Sequence, residues 1–478
     1  MPRPVTMILL ILMVAAPTYS GNKFVARHPP VAEAIQLLDL WINEQMDWHR
    51  IPGVAIGIVY DQELIWAQGY GTSDVESQRP VTPQTIFRIG SVTKLFTATA
   101  VMQLRDAGKL HLDDPLTQHL PWFSIQNPYK NAPAITLRHL LTHTAGLPRE
   151  AAFAYWTHHQ FPDRDELRTS VAEQTLLAPP GSRYDYSNLG MSLLREVVAA
   201  VSGQTYGEYV QANIFDPLKM TRSAVVLPED HRPDLSREYG LFLPDDSRRE
   251  LTYYDAKALR AMGNITSTIE DLSHFAALQF RTGLAGDDQI LAGSTLAEMH
   301  RPHFVYPSWS GGRGLGFWLT RRENKTVVGH DGWIGAHLTR FIFNPAEKIA
   351  VIVMINTDAA STSAIANQAY DMVGSTIVAA VTPPPKKQKA SPAWRKYLGT
   401  YADPWGWEVQ VLILDNQLVL YSHNYPPEDD ARDNLTPLIH VAKNEFRTGG
   451  GQPVVFELAR NGKVERIRKG YNYIYPVK

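Results

Sequence analysis

Ile349-Ala-Val-Ile-Val-Met-Ile355 is an unbroken apolar run, and the polar segment Asn344-Pro-Ala-Glu-Lys348 separates it from a second run, Leu338-Thr-Arg-Phe-Ile-Phe343. Two short apolar runs on either side of a turn-forming segment predict a β-hairpin. A similar hairpin is predicted near the other end of the chain, where three polar residues separate Val54-Ala-Ile-Gly-Ile-Val-Tyr60 from Leu64-Ile-Trp-Ala-Gln-Gly-Tyr70. The strands that decide the fold therefore lie far apart in the sequence.

The segments around these hairpins have helical patterns. Apolar residues recur at helical spacing in 32–46 and again in 364–381, and the region from about 89 to 301 is mostly helical between Pro- and Gly-containing loops. This order predicts an α+β fold in which both ends of residues 21–381 build one antiparallel sheet. Helices would flank the sheet, and an all-helical insertion would form the middle of the chain.

A different pattern begins after residue 381. Thr382-Pro-Pro-Pro-Lys-Lys-Gln-Lys-Ala-Ser391 has the composition of a linker, which we place at 382–392. Beyond it, segments such as Trp407-Glu-Val-Gln-Val-Leu-Ile-Leu414 alternate or run apolar, and Asn461-Gly462 is a strong turn signal. Residues 393–478 are therefore expected to form a small all-β, barrel-like domain.

Composition excludes several classes of function. The 478 residues carry 46 basic and 48 acidic side chains, so there is no basic surface of the kind that nucleic acid requires. Cysteine is absent, which excludes disulfides, thiolate catalysis, iron–sulfur clusters and Cys-ligated zinc. Any nucleophile must therefore be an oxygen or nitrogen atom.

The first twenty residues have the pattern of a secretory signal peptide. Arg3 precedes the apolar run 7–16, and Thr18 and Ser20 suit a cleavage site before Gly21. The expected location is the bacterial periplasm or the medium, with no membrane association after cleavage. An uncleaved membrane anchor is the alternative.

The first chemical element is Ser91-Val-Thr-Lys94, which lies within Phe87-Arg-Ile-Gly-Ser-Val-Thr-Lys-Leu-Phe-Thr-Ala-Thr-Ala-Val-Met102. Side chains three residues apart share one face of a helix, so a buried lysine amine with a lowered pKa could take the serine proton. Free N–H groups of the first helical turn would favour an oxyanion at Ser91. The alternative, a helix-capping serine and an exposed lysine, fits poorly with the apolar neighbours of Lys94.

The second element is Tyr186-Ser-Asn188, which precedes an apolar helical pattern. A tyrosine near a cationic lysine is expected to have a lowered pKa and to act as a general base. The Asn188 amide could hold a substrate carbonyl. A packed tyrosine beside a helix-capping asparagine is the alternative.

The third element is His330-Asp-Gly332, followed by Trp333. Gly332 would allow a substrate backbone to lie close to the strand, and the N–H of Trp333 could complete an oxyanion hole. The alternatives are a core histidine at 330 and a turn residue at Asp331.

In this order, the three elements resemble those of the serine hydrolases of the class C β-lactamase and penicillin-binding protein group, the serine β-lactamase-related family. Leu140-Leu-Thr-His-Thr-Ala-Gly-Leu-Pro148, Gly314-Leu-Gly-Phe317 and Gly329-His-Asp-Gly-Trp333 are also similar to segments of that family. The resemblance covers about residues 34–380. It implies a β-lactamase/transpeptidase-like antiparallel sheet with flanking helices and an all-helical subdomain.

The resemblance also assigns roles to the site residues. Ser91 would be the acylated nucleophile, Lys94 and Tyr186 would share the proton transfers, and Asn188 would bind the substrate amide. The N–H groups of Ser91 and Trp333 would form the oxyanion hole, with His330, Asp331 and Gly332 lining the substrate strand. The family needs no metal and no cofactor.

One departure from the family pattern bears on the substrate. Class C β-lactamases carry Lys-Thr-Gly where this chain has His330-Asp331-Gly332. Histidine has an unperturbed pKa of ~6.5 and is largely neutral at pH 7, so it is a poor partner for a substrate carboxylate. We therefore expect small-molecule, peptide, amide or ester substrates, as for aminopeptidases or esterases, and weak β-lactamase activity at most.

A penicillin or peptidoglycan sensor without turnover, or a scaffold, is the alternative function. An α/β-hydrolase is excluded because the chain has no Gly-x-Ser-x-Gly. The C-terminal domain resembles the lipocalin-like barrels of some relatives, and it could restrict the cleft or build a homo-oligomer.

Overall fold

The structure is a computed structural model that describes residues 22–245, 247–281, 289–322, 325–382, 391–422 and 434–477. The predicted signal peptide, residues 1–20, and most of the predicted linker lie outside the described residues. The chain divides into two compact units on either side of the Thr382–Pro383 bond. Over the described ranges, no helix has the length and apolar character needed to cross a membrane.

The first unit contains helices and a large sheet. Its α-helices are α1 (Pro29–His49), α2 (Thr93–Asp106), α3 (Leu116–His119), α4 (Leu137–Leu141), α5 (Tyr155–His158), α6 (Arg164–Glu173), α7 (Asn188–Ser202), α8 (Tyr206–Val210), α9 (Arg260–Gly263), α10 (Ile269–Leu278), α11 (Gly293–Met299), α12 (Thr362–Ala369) and α13 (Ser375–Val381). Its strands are β1 (Gly53–Tyr60), β2 (Glu63–Asp74), β3 (Arg79–Pro80), β4 (Phe87–Arg88), β5 (Glu238–Phe242), β6 (Arg248–Leu251), β7 (Thr266–Ser267), β8 (Phe304–Val305), β9 (Gly311–Arg313), β10 (Trp318–Arg322), β11 (Lys325–Ile334), β12 (His337–Asn344) and β13 (Ile349–Ile355).

Tighter and wider helical turns complete the two units. The 3₁₀ segments are Asn22–Arg27, Gly90–Val92, Glu229–Asp234, Lys257–Leu259 and Pro392–Tyr397, and the π segments are Gln211–Phe215 and Tyr370–Gly374. The second π segment joins α12 to α13, so the predicted helical stretch 364–381 is continuous but changes its winding.

The predicted sheet is confirmed. Its strand order is β3-β2-β1-β13-β12-β11-β10-β9-β8. The central pair β1 and β13 is antiparallel, from Val54 opposite Ile355 to Tyr60 opposite Ile349. The two predicted hairpins therefore meet at the centre of one sheet, although nearly the whole helical region separates them in sequence.

Two apolar cores cover the two faces of this sheet. Along β1, Ala55 and Val59 belong to one core, whereas Val54, Ile56 and Ile58 belong to the other. Successive side chains of a strand point to opposite faces, so a strand buried on both faces reads as the continuous apolar run seen in the sequence. Helices α1, α12 and α13 lie on one side, and α2, α7 and α10 lie on the other.

The second unit is the predicted barrel. Its strands are β14 (Gly399–Ala402), β15 (Glu408–Leu414), β16 (Gln417–Ser422), β17 (Leu435–Ala442), β18 (Glu445–Thr448), β19 (Pro453–Leu458), β20 (Val464–Lys469) and β21 (Asn472–Pro476). They close into one barrel in chain order. The predicted turn at Asn461-Gly462 joins β19 to β20, and Gly462 has a φ of 79°. An aromatic core that includes Tyr397, Phe446 and Phe456 fills the interior.

Candidate active site

The Ser91 turn connects β4 to the buried helix α2. Ser91 occupies the 3₁₀ turn Gly90–Val92, and α2 follows at Thr93. Gly90 has a φ of 51°, and a Cβ atom on it would lie 2.5 Å from the backbone nitrogen of Trp333. Only glycine allows both this backbone conformation and this close approach. The turn therefore holds the partly exposed Ser91 side chain beside β11.

Lys94, the second residue of α2, lies three residues after Ser91 and is completely buried. Its Nζ is 2.9 Å from Ser91 Oγ and donates a hydrogen bond to the Met262 carbonyl oxygen at 2.5 Å. Burial lowers the pKa of Lys94 well below its ordinary value, and the charges of Arg149 and Arg313 lower it further against the opposing effect of Glu150. The lowered pKa favours the neutral amine, which has a lone pair for the serine proton.

Tyr186 packs between Lys94 and a buried histidine. The Lys94 Nζ lies 5.0 Å from the centroid of the Tyr186 ring, and the ring of His143 lies 4.4 Å away on a tilted plane. Burial raises the pKa of Tyr186, although a hydrogen bond with Ser91 opposes the rise. The expected lowering of this pKa was wrong, because the desolvation of the buried phenol outweighs the effect of the positive charges around it. Tyr186 is therefore a protonated phenol, which suits a proton donor.

The turn after Tyr186 begins helix α7. Ser187, rather than Asn188, caps this helix by accepting the N–H of Gly190. The His143 ring accepts the N–H of Ser187 at its Nδ1 atom, at 3.2 Å. Asn188 donates from Nδ2 to Glu150 Oε1 at 2.7 Å, and its buried Oδ1 has no hydrogen-bond partner among the described residues. The free oxygen of Asn188 can accept a hydrogen bond from a substrate N–H.

His330 presents a neutral acceptor. Its Nδ1 donates to the Asp331 carbonyl oxygen at 2.6 Å, while its buried Nε2 has no partner among the described residues. Burial lowers the pKa of His330 well below its usual value, and the charges of Lys94 and Arg313 add to this effect. The Asp331 carboxylate is exposed and forms an ion pair with Arg340 on β12. Neither side chain supplies a free positive charge.

The strand continues through Gly332 and Trp333 beside the Ser91 turn. A Cβ atom on Gly332 would overlap the carbonyl oxygen of Ile89, so glycine is required for this contact. The Trp333 side chain is 66% exposed, and its indole N–H donates to the Gly335 carbonyl oxygen at 2.9 Å. This packing brings the Trp333 backbone next to the Ser91 turn, as an oxyanion hole formed by both residues would require.

A cleft of about 1250 Å³ unites the predicted residues. Lys94 does not line the cleft but forms a hydrogen bond with Ser91. The other seven of the eight predicted residues line it: Ser91, Tyr186, Asn188, His330, Asp331, Gly332 and Trp333. Sequence reasoning missed other lining residues: Arg149, Glu150, Trp156, His159, Tyr184, Tyr254 and Arg313. For three of them the sequence contained a signal, because they adjoin segments similar to those of the family. Arg149 and Glu150 directly follow the segment 140–148, and Arg313 directly precedes the segment 314–317.

A resident metal would need a cluster of ligating side chains. Within the described ranges, there is no group of three or more His, Cys, Asp or Glu residues arranged to hold a metal ion.

The fold and the site together define a class of protein. The antiparallel sheet with its helical insertion is that of the β-lactamase/transpeptidase-like class. Ser91 and the buried Lys94 lie beside Tyr186 and β11 within this fold. The family described as Beta-lactamase matches residues 38–373. The chain belongs to this family.

Individual relatives cover different parts of the chain. Protein flp of Staphylococcus aureus (strain N315) is 26% identical over 328 residues, which are 67% of this chain and 63% of that protein. The chain thus spans less than two thirds of the length of this curated relative.

Two solved structures share the fold. An octameric penicillin-binding protein homologue from Pyrococcus abyssi superposes with a TM-score of 0.62 at 24% identity, over 92% of this chain and 99% of that one. EstCE1, a hydrolase with promiscuous acyltransferase activity, superposes with a TM-score of 0.60 at 24% identity, over 72% of this chain and 98% of that one.

Proposed function

We propose that this protein is a serine hydrolase that cleaves peptide, amide or ester bonds through an acyl-enzyme at Ser91. The observation that carries the proposal is the 2.9 Å distance between Ser91 Oγ and the Nζ of the fully buried Lys94. Membership of the beta-lactamase family and the likeness to a hydrolase support an enzyme. A buried amine with a lowered pKa beside a hydroxyl is a general base beside its nucleophile.

Acylation begins with the neutral Lys94 amine. It accepts the Ser91 proton while Oγ forms a bond to the substrate carbonyl carbon, and the carbonyl electron pair moves onto its oxygen. The N–H groups of Ser91 and Trp333 stabilise this oxyanion. When the intermediate collapses, the bond to the leaving oxygen or nitrogen breaks. The leaving atom takes a proton from the Tyr186 hydroxyl. The Lys94 ammonium then gives its proton to the Tyr186 oxygen and becomes neutral again.

Deacylation repeats these steps with water. A water molecule gives a proton to the neutral Lys94 amine as its oxygen attacks the acyl carbon, and the same N–H groups stabilise the second oxyanion. When this second intermediate collapses, the bond between the acyl carbon and Ser91 Oγ breaks. Oγ then takes the proton back from the Lys94 ammonium. The acid product then leaves, and the enzyme is regenerated without change of oxidation state.

The character of the cleft favours amides and esters over β-lactams. His330 lacks the permanent charge that Lys-Thr-Gly supplies, and Asp331 is paired with Arg340. The free Oδ1 of Asn188 and the free Nε2 of His330 both accept hydrogen bonds. Two acceptors suit a substrate with N–H or O–H groups near the scissile bond. We therefore expect aminopeptidase- or esterase-like turnover, with a chromogenic cephalosporin as a poor substrate.

The test is covalent labelling and turnover in matched serine variants. We expect a fluorophosphonate probe to label the native chain at Ser91 and to leave Ser91→Ala unlabelled. The kcat/KM for p-nitrophenyl butyrate should fall by roughly three orders of magnitude or more in Ser91→Ala. Ser375→Ala, an exposed serine on α13, is the control and should match the native chain.

Two outcomes would contradict the proposal. Labelling that persists in Ser91→Ala would place the nucleophile elsewhere. One equivalent of product without continued turnover would instead support the alternative, a sensor that is acylated but does not hydrolyse its acyl group.

A further inference from the structure

Arg313 is a cation in the cleft that the proposed mechanism does not use. It is the last residue of β9, two strands from β11 in the sheet, and it lines the cleft together with Ser91 and His330. Its backbone is held by antiparallel pairing with Trp318 and with Phe304. A residue fixed between two neighbouring strands presents its side chain with little freedom.

The guanidinium of Arg313 is surrounded by tyrosines. It donates a hydrogen bond to the Tyr184 hydroxyl, and its central carbon lies 4.3 Å from the Tyr184 ring centroid and 6.0 Å from that of Tyr306. Its Nε is buried and has no hydrogen-bond partner among the described residues. In the part of the chain that the structure describes, no carboxylate forms an ion pair with it.

The other arginines near the cleft are compensated. Arg149 lies 3.3 Å from a carboxylate oxygen of Glu150, and Arg340 forms an ion pair with Asp331. Arg313 thus differs from both by carrying a partly buried charge with no acidic partner in the described ranges. Burying such a charge costs free energy unless an anion pairs with it.

The field of Arg313 reaches the reacting groups. Burial is the main cause of the pKa shifts of Lys94, Tyr186 and His330, and the charge of Arg313 adds a smaller downward contribution to each, against the net rise at Tyr186. Arg313 also contacts Tyr184, which lies two residues before Tyr186, and both tyrosine rings contact His143. These contacts connect Arg313 to Tyr186, which delivers the proton to the leaving atom in the proposed mechanism.

We propose that Arg313 binds a carboxylate on the leaving-group portion of the substrate, so that the enzyme prefers anionic esters or amides. This inference rests on the proposed function. The planar guanidinium can donate two parallel hydrogen bonds to a carboxylate, and its unpartnered Nε–H is one of the donors required. The carboxylate would then lie at the end of β9, two strands from the position of the family lysine on β11.

The test compares two esters that differ only in charge. We suggest 3-carboxyphenyl butyrate and its neutral isostere 3-carbamoylphenyl butyrate, with kcat/KM measured for both in each variant. The quotient of the two values cancels the effect of a variant on general activity. We expect the native chain to prefer the anionic ester and Arg313→Gln to lower the quotient about ten- to hundred-fold.

Two further variants sharpen this test. Arg313→Lys keeps the charge but loses the planar fork, so its quotient should lie between those of the native chain and Arg313→Gln. Arg301→Gln removes an exposed arginine that lies 3.6 Å from Glu298 and outside the cleft, and it should leave the quotient unchanged. Fluorophosphonate labelling of Ser91 in Arg313→Gln checks that the variant is folded.

The outcomes separate the two proposals. If both esters are hydrolysed by a Ser91-dependent route and Arg313→Gln leaves the quotient unchanged, the role of Arg313 is wrong and the serine hydrolase stands. If neither ester is hydrolysed and Ser91 is not labelled, the proposed function fails and the inference fails with it. A preference for the neutral ester in the native chain would also overturn the inference.

Discussion

At the scale of single residues, burial decides the protonation of the site. Three titratable groups lie close together in the site: Lys94, Tyr186 and His330. The pKa of each is shifted in the direction that favours the neutral form of the group. Desolvation is the largest cause in every case, because a charge loses more hydration than its neighbours can return. Burial therefore favours a neutral Lys94, which can accept a proton, and a neutral Tyr186, which can donate one.

This protonation pattern predicts the pH profile of ester hydrolysis. As pH rises through the lowered pKa of Lys94, the amine loses its proton and kcat/KM should rise to a plateau. The plateau should continue into alkaline pH, because the raised pKa of Tyr186 keeps its phenol protonated. The measurement is kcat/KM against pH for p-nitrophenyl butyrate, with the Ser91→Ala rate subtracted at each pH to remove hydrolysis by hydroxide.

Two profiles would contradict this interpretation. A rise that begins only near the unperturbed lysine pKa of ~10.4 would mean that Lys94 stays cationic. A fall in mildly alkaline solution would mean that Tyr186 ionises early, as the sequence alone had suggested.

At the scale of elements, a buried ion pair holds the strands around the cleft together. Arg88 on β4 lies 3.3 Å from Glu238 on β5, and their side chains are 0% and 3% exposed. Arg88 also donates to the Tyr254 carbonyl oxygen at 3.0 Å, and Glu238 accepts the N–H of Ala336 at 2.8 Å. These bonds connect the strand before Ser91 to the β11–β12 turn that follows Trp333.

Replacing one member of this pair should destabilise the fold. Glu238→Gln leaves the buried Arg88 without a counter-charge, so we expect the free energy of unfolding to fall by about 3–5 kcal/mol. The measurement is equilibrium unfolding in urea. Glu229→Gln is the matched control, because Glu229 pairs with Arg232 on the exposed surface and such pairs contribute little. Equal effects of the two variants would show that the buried pair has no special role.

At the scale of the whole molecule, the two units have separate apolar cores. The barrel core consists only of residues from 394 onward, whereas both cores of the first unit end before residue 382. The proposed catalytic residues all lie in the first unit. The Pyrococcus homologue is octameric, and a homo-oligomer remains a prediction for this chain.

Separate cores predict separate responses to a core substitution. Phe456 is 1% exposed and stacks on Tyr397 with ring centroids 4.2 Å apart. Phe456→Ala should destabilise the barrel by about 3–5 kcal/mol, because it leaves a cavity in a packed aromatic core. Differential scanning calorimetry should show that the unfolding transition of the barrel moves to lower temperature than in the native chain. Hydrolysis of p-nitrophenyl butyrate by the folded first unit should persist above that temperature. Loss of both together would mean that the units unfold cooperatively.

The sequence by itself determined the sheet, the barrel and the identity of the proposed site residues. Apolar runs such as 54–60 and 349–355 carry strand information locally, because a strand buried on both faces must be apolar throughout. The short elements at 91–94, 186–188 and 330–332 are recognised by their residue types and by the order in which they follow one another along the chain. Order and local pattern are properties that a sequence contains without its fold.

Only the tertiary structure decided which groups are neutral and which charges are unpaired. The pKa of Tyr186 rises because packing removes water around it, and no local pattern records that packing. Arg313 becomes distinctive only when Glu150 is seen to pair with Arg149 and no acid is seen beside Arg313 in the described residues. Desolvation and pairing depend on neighbours that lie far apart in the chain, so they exist only once the chain has folded.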